Sequence, residues 1–210
     1  MEKSTTSLKR VIAYIDGFNL YFGLKSQNWK KYFWLNVHGM AKSLIKPDQE
    51  LILTKYFTSR VTNNPQKQKR QNDFLEAIQT ISSVKLYFGK YQLNPRFCHY
   101  CGKEDNVPNE KMTDVNIAVE LLSDAFTDAF DVALLFSADS DLVPPVKKVR
   151  SLFPEKRIIA CFPPGRYSID LKNAAGISIP IGRAIFAQNQ FPDRVQKQDG
   201  FILIRPDRWK

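Results

Sequence analysis

The sequence contains few cysteine and histidine residues. Three cysteines, Cys98, Cys101 and Cys161, and two histidines are present among 210 residues. So few cysteines, and an odd number of them, exclude a disulfide framework and agree with a reducing compartment. Because no cluster of histidines is present, a metal site in this protein is expected to use oxygen ligands, which suit Mg²⁺ or Mn²⁺ better than zinc.

Long apolar runs are also absent. No window approaches the roughly eighteen consecutive apolar residues that a membrane-spanning helix requires, and the first residues, MEKSTTSLKR, lack the apolar segment of a signal peptide. The chain shows no repeats, low-complexity tract or linker. We therefore expect a cytoplasmic protein with no membrane partner, consisting of one domain at 8–182 and a C-terminal extension, 183–210, packed on that domain.

Positive charge, in contrast, is in surplus. The chain has 31 Lys and Arg residues against 21 Asp and Glu residues, which gives a formal net charge of +10. A basic surplus favours a polyanionic partner such as nucleic acid, because phosphates release counterions when basic side chains neutralise them. Solubility is the alternative explanation for the charge. With 43% hydrophobic residues the chain is also able to bury a sizeable core.

Apolar runs alternate with amphipathic stretches along the chain. Six runs rich in β-branched and aromatic residues are predicted to be strands, most of them buried on both faces: 10–16, 51–59, 83–91, 131–139, 156–162 and 176–181. Helical spacing predicts helices at 64–81 and 113–126. This order predicts an α/β domain with a mainly parallel sheet covered on both faces. Residues 94–111 are rich in turn formers and are predicted to form a long loop. The closing sequence FILIRPDRWK is predicted to form a short extra strand and a tail.

Three aspartates occur at or just beyond the predicted carboxyl ends of strands, and a fourth opens a predicted helix that reaches the same edge if it runs back from the strand ends. Asp16 ends the first strand, Asp139 and Asp141 follow the fourth, and Asp114 begins the helix after the predicted loop. In a parallel α/β sheet, ligands bind outside the carboxyl ends of the strands, near the point where strand order reverses. If the first and fourth strands are neighbours, we expect these carboxylates to converge.

Several carboxylates in one cleft repel each other unless they are protonated or share a cation. Magnesium suits such a set, since it commonly takes one or two protein carboxylates and keeps waters and phosphate oxygens as its other ligands. A metal held in this way polarises a phosphate and lowers the pKa of an attacking water. Ser137 and Ser140 are expected to hydrogen-bond to water or to acid oxygens. Together with the basic surplus, these features indicate phosphodiester hydrolysis.

The same polar residues also have simpler explanations. Asp114 and Asp141 each stand at a helix start, where aspartate is commonly an N-cap. Asp16 precedes a glycine, as in many turns, and Asn19 is an ordinary turn or cap residue. Asp139 is harder to explain in this way, because two acids flank a serine directly after a buried strand.

Cys98 and Cys101, in the sequence CHYCG, resemble one half of a zinc knuckle. A closed structural zinc site needs four ligands, and the sequence has no second Cys-x-x-Cys or suitably spaced histidine pair. We therefore expect reduced loop cysteines in place of a zinc site. A zinc site shared across a homodimer stays open as an alternative.

Basic and aromatic residues suited to nucleic acid occur in several places. Lys67, Lys69 and Arg70 lie in the run KQKRQ, although a solvated helix face is the more frequent meaning of such a run. Lys25 and Lys111 complete the predicted nucleic-acid contacts. An aromatic-rich stretch around Lys25 holds six rings of the kind that stack on single-stranded bases: Tyr21, Phe22, Trp29, Tyr32, Phe33 and Trp34. We expect core packing to take more than half of them.

Three stretches resemble the signature blocks of the NYN domain, a branch of the PIN-like nucleases, and specifically its bacterial LabA-like members. They are IDGFNLYFGLK at 15–25, KMTDVNIAVELLSDAF at 111–126 and DVALLFSADSDLVPPVKKVR at 131–150. LKNAAGISIPI and DGFILIRPDRWK resemble the C-terminal part of those proteins, so the resemblance covers nearly the whole chain. In one departure, Ala138 stands where many relatives have glycine.

The resemblance implies a three-layer α/β/α PIN-like fold, with 8–182 as the nuclease domain, and a Mg²⁺- or Mn²⁺-dependent site that cuts RNA. By the family motif, the catalytic residues are Asp16, Asn19, Asp114, Asp139 and Asp141, and the four aspartates hold the metal. The implied protein is an endoribonuclease that hydrolyses RNA, single-stranded or structured, with metal-activated water. The alternative is a non-catalytic RNA-binding or assembly module that keeps the same fold.

Overall fold

A six-stranded parallel sheet forms the centre of the computed structural model, which describes residues 7–62, 64–97, 100–102 and 104–210. The strands are β1 Lys9–Asp16, β2 Gln49–Thr58, β3 Val84–Phe88, β4 Lys90–Phe97, β5 Glu104–Lys111, β6 Val132–Phe136, β7 Arg157–Phe162, β8 Ile177–Pro180, β9 Arg194–Gln196 and β10 Ile202–Ile204. The central sheet has the order β3-β2-β1-β6-β7-β8, and its neighbouring strands are parallel. The predicted α/β fold class is confirmed.

Helices cover both faces of this sheet and make it the middle of three layers. They are α1 Gly17–Ser26, α2 Val37–Lys42, α3 Pro65–Gln79, α4 Thr113–Phe126, α5 Val143–Leu152, α6 Ile169–Ala175 and α7 Arg183–Gln188, with 3-10 helices at Lys30–Tyr32, Ser140–Leu142 and Asp207–Trp209. Residues of α1, α2, α3 and α7 pack in the core on one face, and residues of α4, α5 and α6 pack in the core on the other. We call the second face the α4 face.

Strand β1 shows how the sequence supplies both cores. Successive side chains of a strand point to opposite faces, and here Val11, Ala13 and Ile15 enter one core. Ile12 and Tyr14 enter the core on the α4 face. All five are buried, which explains the uninterrupted apolar run in the sequence.

The strand order reverses between β1 and β6. The chain places β2 and β3 on one side of β1, and β6, β7 and β8 on the other. Ile15 of β1 pairs with Phe136 of β6, so the two strands end side by side. This carboxyl edge of the sheet is the location where ligands bind in folds of this type.

Helix α4 is fixed to the sheet by a buried cation. The ammonium Nζ of Lys55, in β2, lies 2.6 Å from Glu120 Oε2 and 2.6 Å from Asp124 Oδ2, both on α4. Tyr14 of β1 donates a hydrogen bond of 2.5 Å from its hydroxyl to Asp124 Oδ2. Burial lowers the pKa of Lys55, but the two carboxylates raise it further than burial lowers it, so the side chain stays charged. The network therefore holds α4, the helix that carries Asp114 in its first turn, against β1 and β2.

The predicted loop at 94–111 is wrong. Strands β4 and β5 occupy most of that segment and pair antiparallel with each other, from Lys90 opposite Lys111 to Phe97 opposite Glu104. Neither joins the six-stranded sheet among the described residues. Pro95 and Pro108 obscure the strand pattern in the sequence, and a two-stranded ribbon tolerates them because each strand has a free edge. We call this ribbon the arm.

The C-terminal segment packs on the layer formed by α1, α2 and α3. The short extra strand predicted in FILIRPDRWK is β10, which pairs with β9. Trp209 is buried, with its ring centroid 5.7 Å from that of Phe33 and 6.4 Å from that of Trp34. The boundary predicted at residue 182 stays a prediction. Within the described part of the chain, every helix is too short or too polar to span a membrane.

Candidate active site

Asp16 is a buried acid at the end of β1. It follows Ile12 and Tyr14 on the α4 face, and only 3% of its surface is exposed. Its Oδ1 accepts a hydrogen bond of 2.9 Å from the backbone N–H of Asn19, and its Oδ2 accepts one of 2.9 Å from the Ser137 hydroxyl. Burial raises the pKa of Asp16, and these hydrogen bonds offset only part of that rise.

The segment that follows β6 is bonded to the start of α1. Ser137 Oγ accepts a hydrogen bond of 3.1 Å from the backbone N–H of Asp139 while donating to Asp16. The side-chain oxygen of Asn19 accepts one of 3.2 Å from the backbone N–H of Ala138. These bonds cross between the two strand ends that meet where the strand order reverses. They fix the backbone that carries Asp139 relative to the carboxylate of Asp16.

Asp114 completes the acidic group from the α4 side. It is the second residue of α4, and its carboxyl group is about half buried. Burial raises its pKa to about 6, with further contributions from the charges of Asp16, Asp139 and Asp141. Asp114 is therefore near enough to the other three acids predicted from the sequence for their charges to act on it. We call these four residues the acid cluster.

The capping explanation applies to a different pair of acids from the pair suggested by the sequence. Asp16 is the N-cap of α1, and Asp139 is the N-cap of the 3-10 helix Ser140–Leu142, where its Oδ1 accepts a hydrogen bond of 3.0 Å from the N–H of Asp141. Asp114 and Asp141 are not caps, since both lie inside the first turn. The N-cap position of α4 is held by Met112, which has a left-handed backbone with φ of 78° and makes no side-chain cap.

The donor set of the acid cluster fits a hard cation. It offers only carboxylate oxygens, and the pKa of Asp114 is raised by burial and, to a smaller extent, by repulsion from the other three acids, which a divalent ion would relieve. Over the described residues, no three His, Cys, Asp or Glu side chains are grouped so that they could hold a metal ion together. The fit is therefore to an ion that takes one or two carboxylates directly and reaches the others through water, which is common for Mg²⁺. In the predicted half zinc site, Cys98 and His99 lie outside the described residues, while Cys101 is exposed.

The predicted nucleic-acid contacts lie on three elements. Lys25 is exposed near the end of α1, and Lys111 is exposed at the end of β5, three residues before Asp114. Lys67 and Lys69 are exposed on α3, and Lys69 forms an ion pair of 2.9 Å with Asp73. Arg70, also on α3, is half-buried. Of these residues, Lys25 and Lys111 are the nearest in sequence to the acid cluster. Lys25 lies on the helix that Asp16 caps, and Lys111 lies just before the helix that carries Asp114.

The prediction that the core takes more than half of the six rings around Lys25 is confirmed. Tyr32, Phe33 and Trp34 are buried, and Trp29 packs against them in the same core. Tyr21 and Phe22 remain exposed, at 38% and 40%.

Two further polar features near the carboxyl edge were not predicted from the sequence. Ser59, which directly follows β2 at the carboxyl edge, is fully buried, and its hydroxyl has no hydrogen-bond partner within the described part of the chain. A cleft between α5 and α6 begins at Ser140, between Asp139 and Asp141, and includes Lys147, Asp170 and Asn173. An isolated serine after a strand carries no sequence signal, and the cleft joins residues that are distant along the chain.

Comparison with known proteins gives a family and a fold. The model of the NYN domain matches residues 10–182. No curated protein matches the chain. A crystal structure of a protein of unknown function, VPA0982 from Vibrio parahaemolyticus, is similar with a TM-score of 0.56 and 17% sequence identity, over 87% of this chain and 98% of that chain. This likeness supports the fold alone, whereas the domain match covers most of the sequence. The chain belongs to the NYN domain family, within the PIN-like nuclease superfamily, which indicates a nuclease.

Proposed function

We propose that this protein is a metal-dependent endoribonuclease of the LabA-like branch, with Mg²⁺ or Mn²⁺ as its cofactor. The observation that carries the proposal is the geometry at the carboxyl edge, where the Ser137 hydroxyl bonds both to Asp16 Oδ2 and to the backbone N–H of Asp139. The pKa of Asp114, raised to about 6 by burial and by the charges of Asp16, Asp139 and Asp141, agrees with this grouping. Among the described residues none of the four acids forms an ion pair, and such acids are suited to a divalent cation and a phosphate oxygen. The net charge of +10 supports a polyanionic substrate such as RNA.

The chain's own residues have separable roles in this proposal. Asp16, Asp114, Asp139 and Asp141 would hold the ion, directly or through water. A bound Mg²⁺ or Mn²⁺ polarises a phosphate oxygen and lowers the pKa of an attacking water. Asn19 and Ser137 are positioning residues, because their hydrogen bonds orient the Asp16 carboxylate and the backbone before Asp139.

The basic residues would contact the substrate away from the reacting phosphate. Lys25 and Lys111 extend from α1 and from the arm, and Lys67, Lys69 and Arg70 from α3. Phosphate contacts of this kind are independent of sequence and sensitive to salt. Binding of RNA is therefore expected to weaken as the salt concentration rises. The cytoplasmic location predicted from the sequence stays a prediction.

A second candidate function is a non-catalytic RNA-binding module. It is favoured by one observation, namely that no three acidic or other metal-binding side chains of the described residues are grouped to hold an ion together. In that case the acid cluster would have no catalytic role, and the exposed lysine and arginine residues would bind RNA.

A cleavage assay separates the two candidates. Single-stranded and hairpin RNAs are incubated with the protein in Mg²⁺, Mn²⁺ or EDTA, beside the Asp139→Asn variant. The ribonuclease proposal expects cleavage with either metal, none in EDTA, and a loss of at least about 100-fold in the variant, with RNA binding intact. The matched control is Asp48→Asn, since Asp48 is an exposed aspartate in the loop before β2. Cleavage that survives EDTA or the Asp139 substitution contradicts the metal mechanism, and a wild type that binds RNA without cutting it supports the module.

A further inference from the structure

Two exposed aromatic side chains lie on elements that adjoin the acid cluster. Phe22 is 40% exposed on α1, one helical turn after Asn19. Tyr167 is 59% exposed in the segment 163–168, which connects β7 to α6 at the carboxyl edge. Single exposed apolar side chains are normal on a protein surface, so the neighbours of these two rings decide whether they form a site.

The two elements that carry these rings are in contact. The segment after β7 reads Pro163-Pro164-Gly165-Arg166, and the N–H of Arg166 donates a hydrogen bond of 3.0 Å to the carbonyl of Pro163. Gly165 has φ of +66°, as the third residue of a type II turn requires. The turn touches α1 so closely that a Cβ atom at Gly165 would lie 2.8 Å from Ser26 Oγ. A Cβ atom at Gly23 would lie 2.9 Å from the carbonyl oxygen of Pro164.

Each ring is supported from within the protein. Phe22 packs against Phe18, with centroids 6.2 Å apart, and against Tyr21, at 5.3 Å. Tyr167 packs against the buried Phe162, with centroids 4.9 Å apart. Since neighbouring rings limit the rotation of both side chains, stacking a ligand on them loses little conformational entropy.

An exposed cation lies on each of the two elements. Lys25 Nζ lies 5.5 Å from the centroid of the Phe22 ring. Arg166 is exposed and precedes Tyr167 in the chain, and its Cγ atom lies 3.5 Å from the position of a Cβ at Gly23 on α1. Within the described part of the chain neither cation forms an ion pair, so both are able to contact a phosphate. Aromatic rings that alternate with cations match the bases and phosphates of a single strand.

We propose that Phe22 and Tyr167 form a stacking site for unpaired RNA bases, with Lys25 and Arg166 on the adjoining phosphates. The site rests on the proposed ribonuclease function, since it would lead the strand to the acid cluster. In a duplex the base faces are covered by their neighbours, so this site selects unpaired RNA. Stacking requires no metal, and binding is therefore measurable without cleavage.

The test is binding of a labelled 12-nucleotide single strand and of its duplex, by fluorescence anisotropy in EDTA. Phe22→Ala and Tyr167→Ala are each expected to weaken binding of the single strand by about 5- to 100-fold, with little change for the duplex. Phe22→Leu keeps an apolar side chain but not the π-face, and is expected to behave as Phe22→Ala, whereas Phe22→Trp keeps the affinity. A 2-aminopurine in the strand should be quenched by the wild type and less by the alanine variants.

The matched control is Phe201→Ala. Phe201 is 60% exposed between β9 and β10, and Lys197 Nζ lies 5.5 Å from its ring centroid, the same separation as between Lys25 and Phe22. Its loss should leave binding of the single strand within about twofold, because one ring beside one lysine does not constitute the site.

Several results would overturn the inference. Equal single-strand affinity in the wild type, Phe22→Ala and Tyr167→Ala would do so, and so would equal losses for single strand and duplex. A concentration-dependent self-association that Phe22→Ala abolishes would instead assign the rings to a protein interface. If the wild type binds single strands through the rings but never cuts RNA, the stacking site stands and the ribonuclease proposal fails. If the wild type cuts RNA but the ring variants bind single strands normally, the ribonuclease proposal stands and the stacking site fails.

Discussion

Replacing Asp114 by asparagine removes one charge from the acid cluster and should stabilise the metal-free protein. The pKa of Asp114 is raised from 3.8 to about 6, which corresponds to about 3 kcal/mol at most. The carboxyl group is about half exposed, so solvent screening reduces this to about 1.5 kcal/mol. The substitution also loses a favourable acid in the first turn of α4, at about 0.5 kcal/mol. The net gain expected at neutral pH is about 1 kcal/mol, or about 3 °C in Tm.

The gain should depend on pH in a defined direction. Because the pKa of Asp114 is higher in the folded protein than in the unfolded chain, the folded protein binds the proton more tightly between about pH 4 and pH 6. The wild type therefore loses stability as the pH rises through that window, and the loss is complete above it. Asp114→Asn has no such titration, so its advantage should be near zero at pH 4 and full at pH 7.5.

Thermal and urea unfolding in EDTA at pH 4, 5, 6 and 7.5 measure the difference. Asp48→Asn is the control, since this exposed aspartate lies away from the acid cluster, and its effect should stay within about 0.5 kcal/mol at every pH. The reasoning is refuted if Asp114→Asn is no more stable than the wild type at pH 7.5. It is refuted equally if the two differ by the same amount at pH 4 and pH 7.5.

Three further expectations concern stability and metal. Lys55→Met leaves its two partly buried carboxylate partners on α4 without a cation and should cost about 3 kcal/mol in urea unfolding, whereas Lys69→Met, at an exposed ion pair, should cost less than about 0.5 kcal/mol. Ser137→Ala removes a buried hydroxyl that donates one hydrogen bond and accepts another, and should cost about 1–3 kcal/mol, against little change for the exposed Ser140→Ala. Mg²⁺ at ten times its Kd should raise the Tm by about 4 °C at pH 7.5, and by clearly less at pH 5, where Asp114 is mostly protonated; an equal rise at both pH values contradicts binding at the acid cluster.

The central sheet was predictable from the sequence because its strands are buried on both faces. The run that contains Val11 to Ile15 supplies two cores at once, which leaves no polar position to confuse the pattern. The arm was missed because its strands pair only with each other in the described structure, outside the central sheet, and because its prolines and other turn formers are typical of a loop.

The acid cluster was partly predictable. Asp16 and Asp139 follow buried strands, and parallel strands that end side by side bring such residues together without further information. Which acids act as helix caps was not predictable, because Asp114 and Asp141 have the same local sequence context as true caps but lie two positions after the N-cap residue. The buried hydroxyl of Ser59 depends on packing between elements distant along the chain.

The arm leaves and rejoins the domain at a single point. Lys90 and Lys111 are its first paired residues, and the neighbouring N–H of Gly89 donates a hydrogen bond of 2.8 Å to the carbonyl of Thr58 in β2. A tight turn in place of the arm would keep β3 and α4 in the same positions relative to each other. Because both ends of the ribbon meet at this one point, its length and composition can be changed without displacing the six-stranded sheet, and a different arm can be grafted onto the same domain.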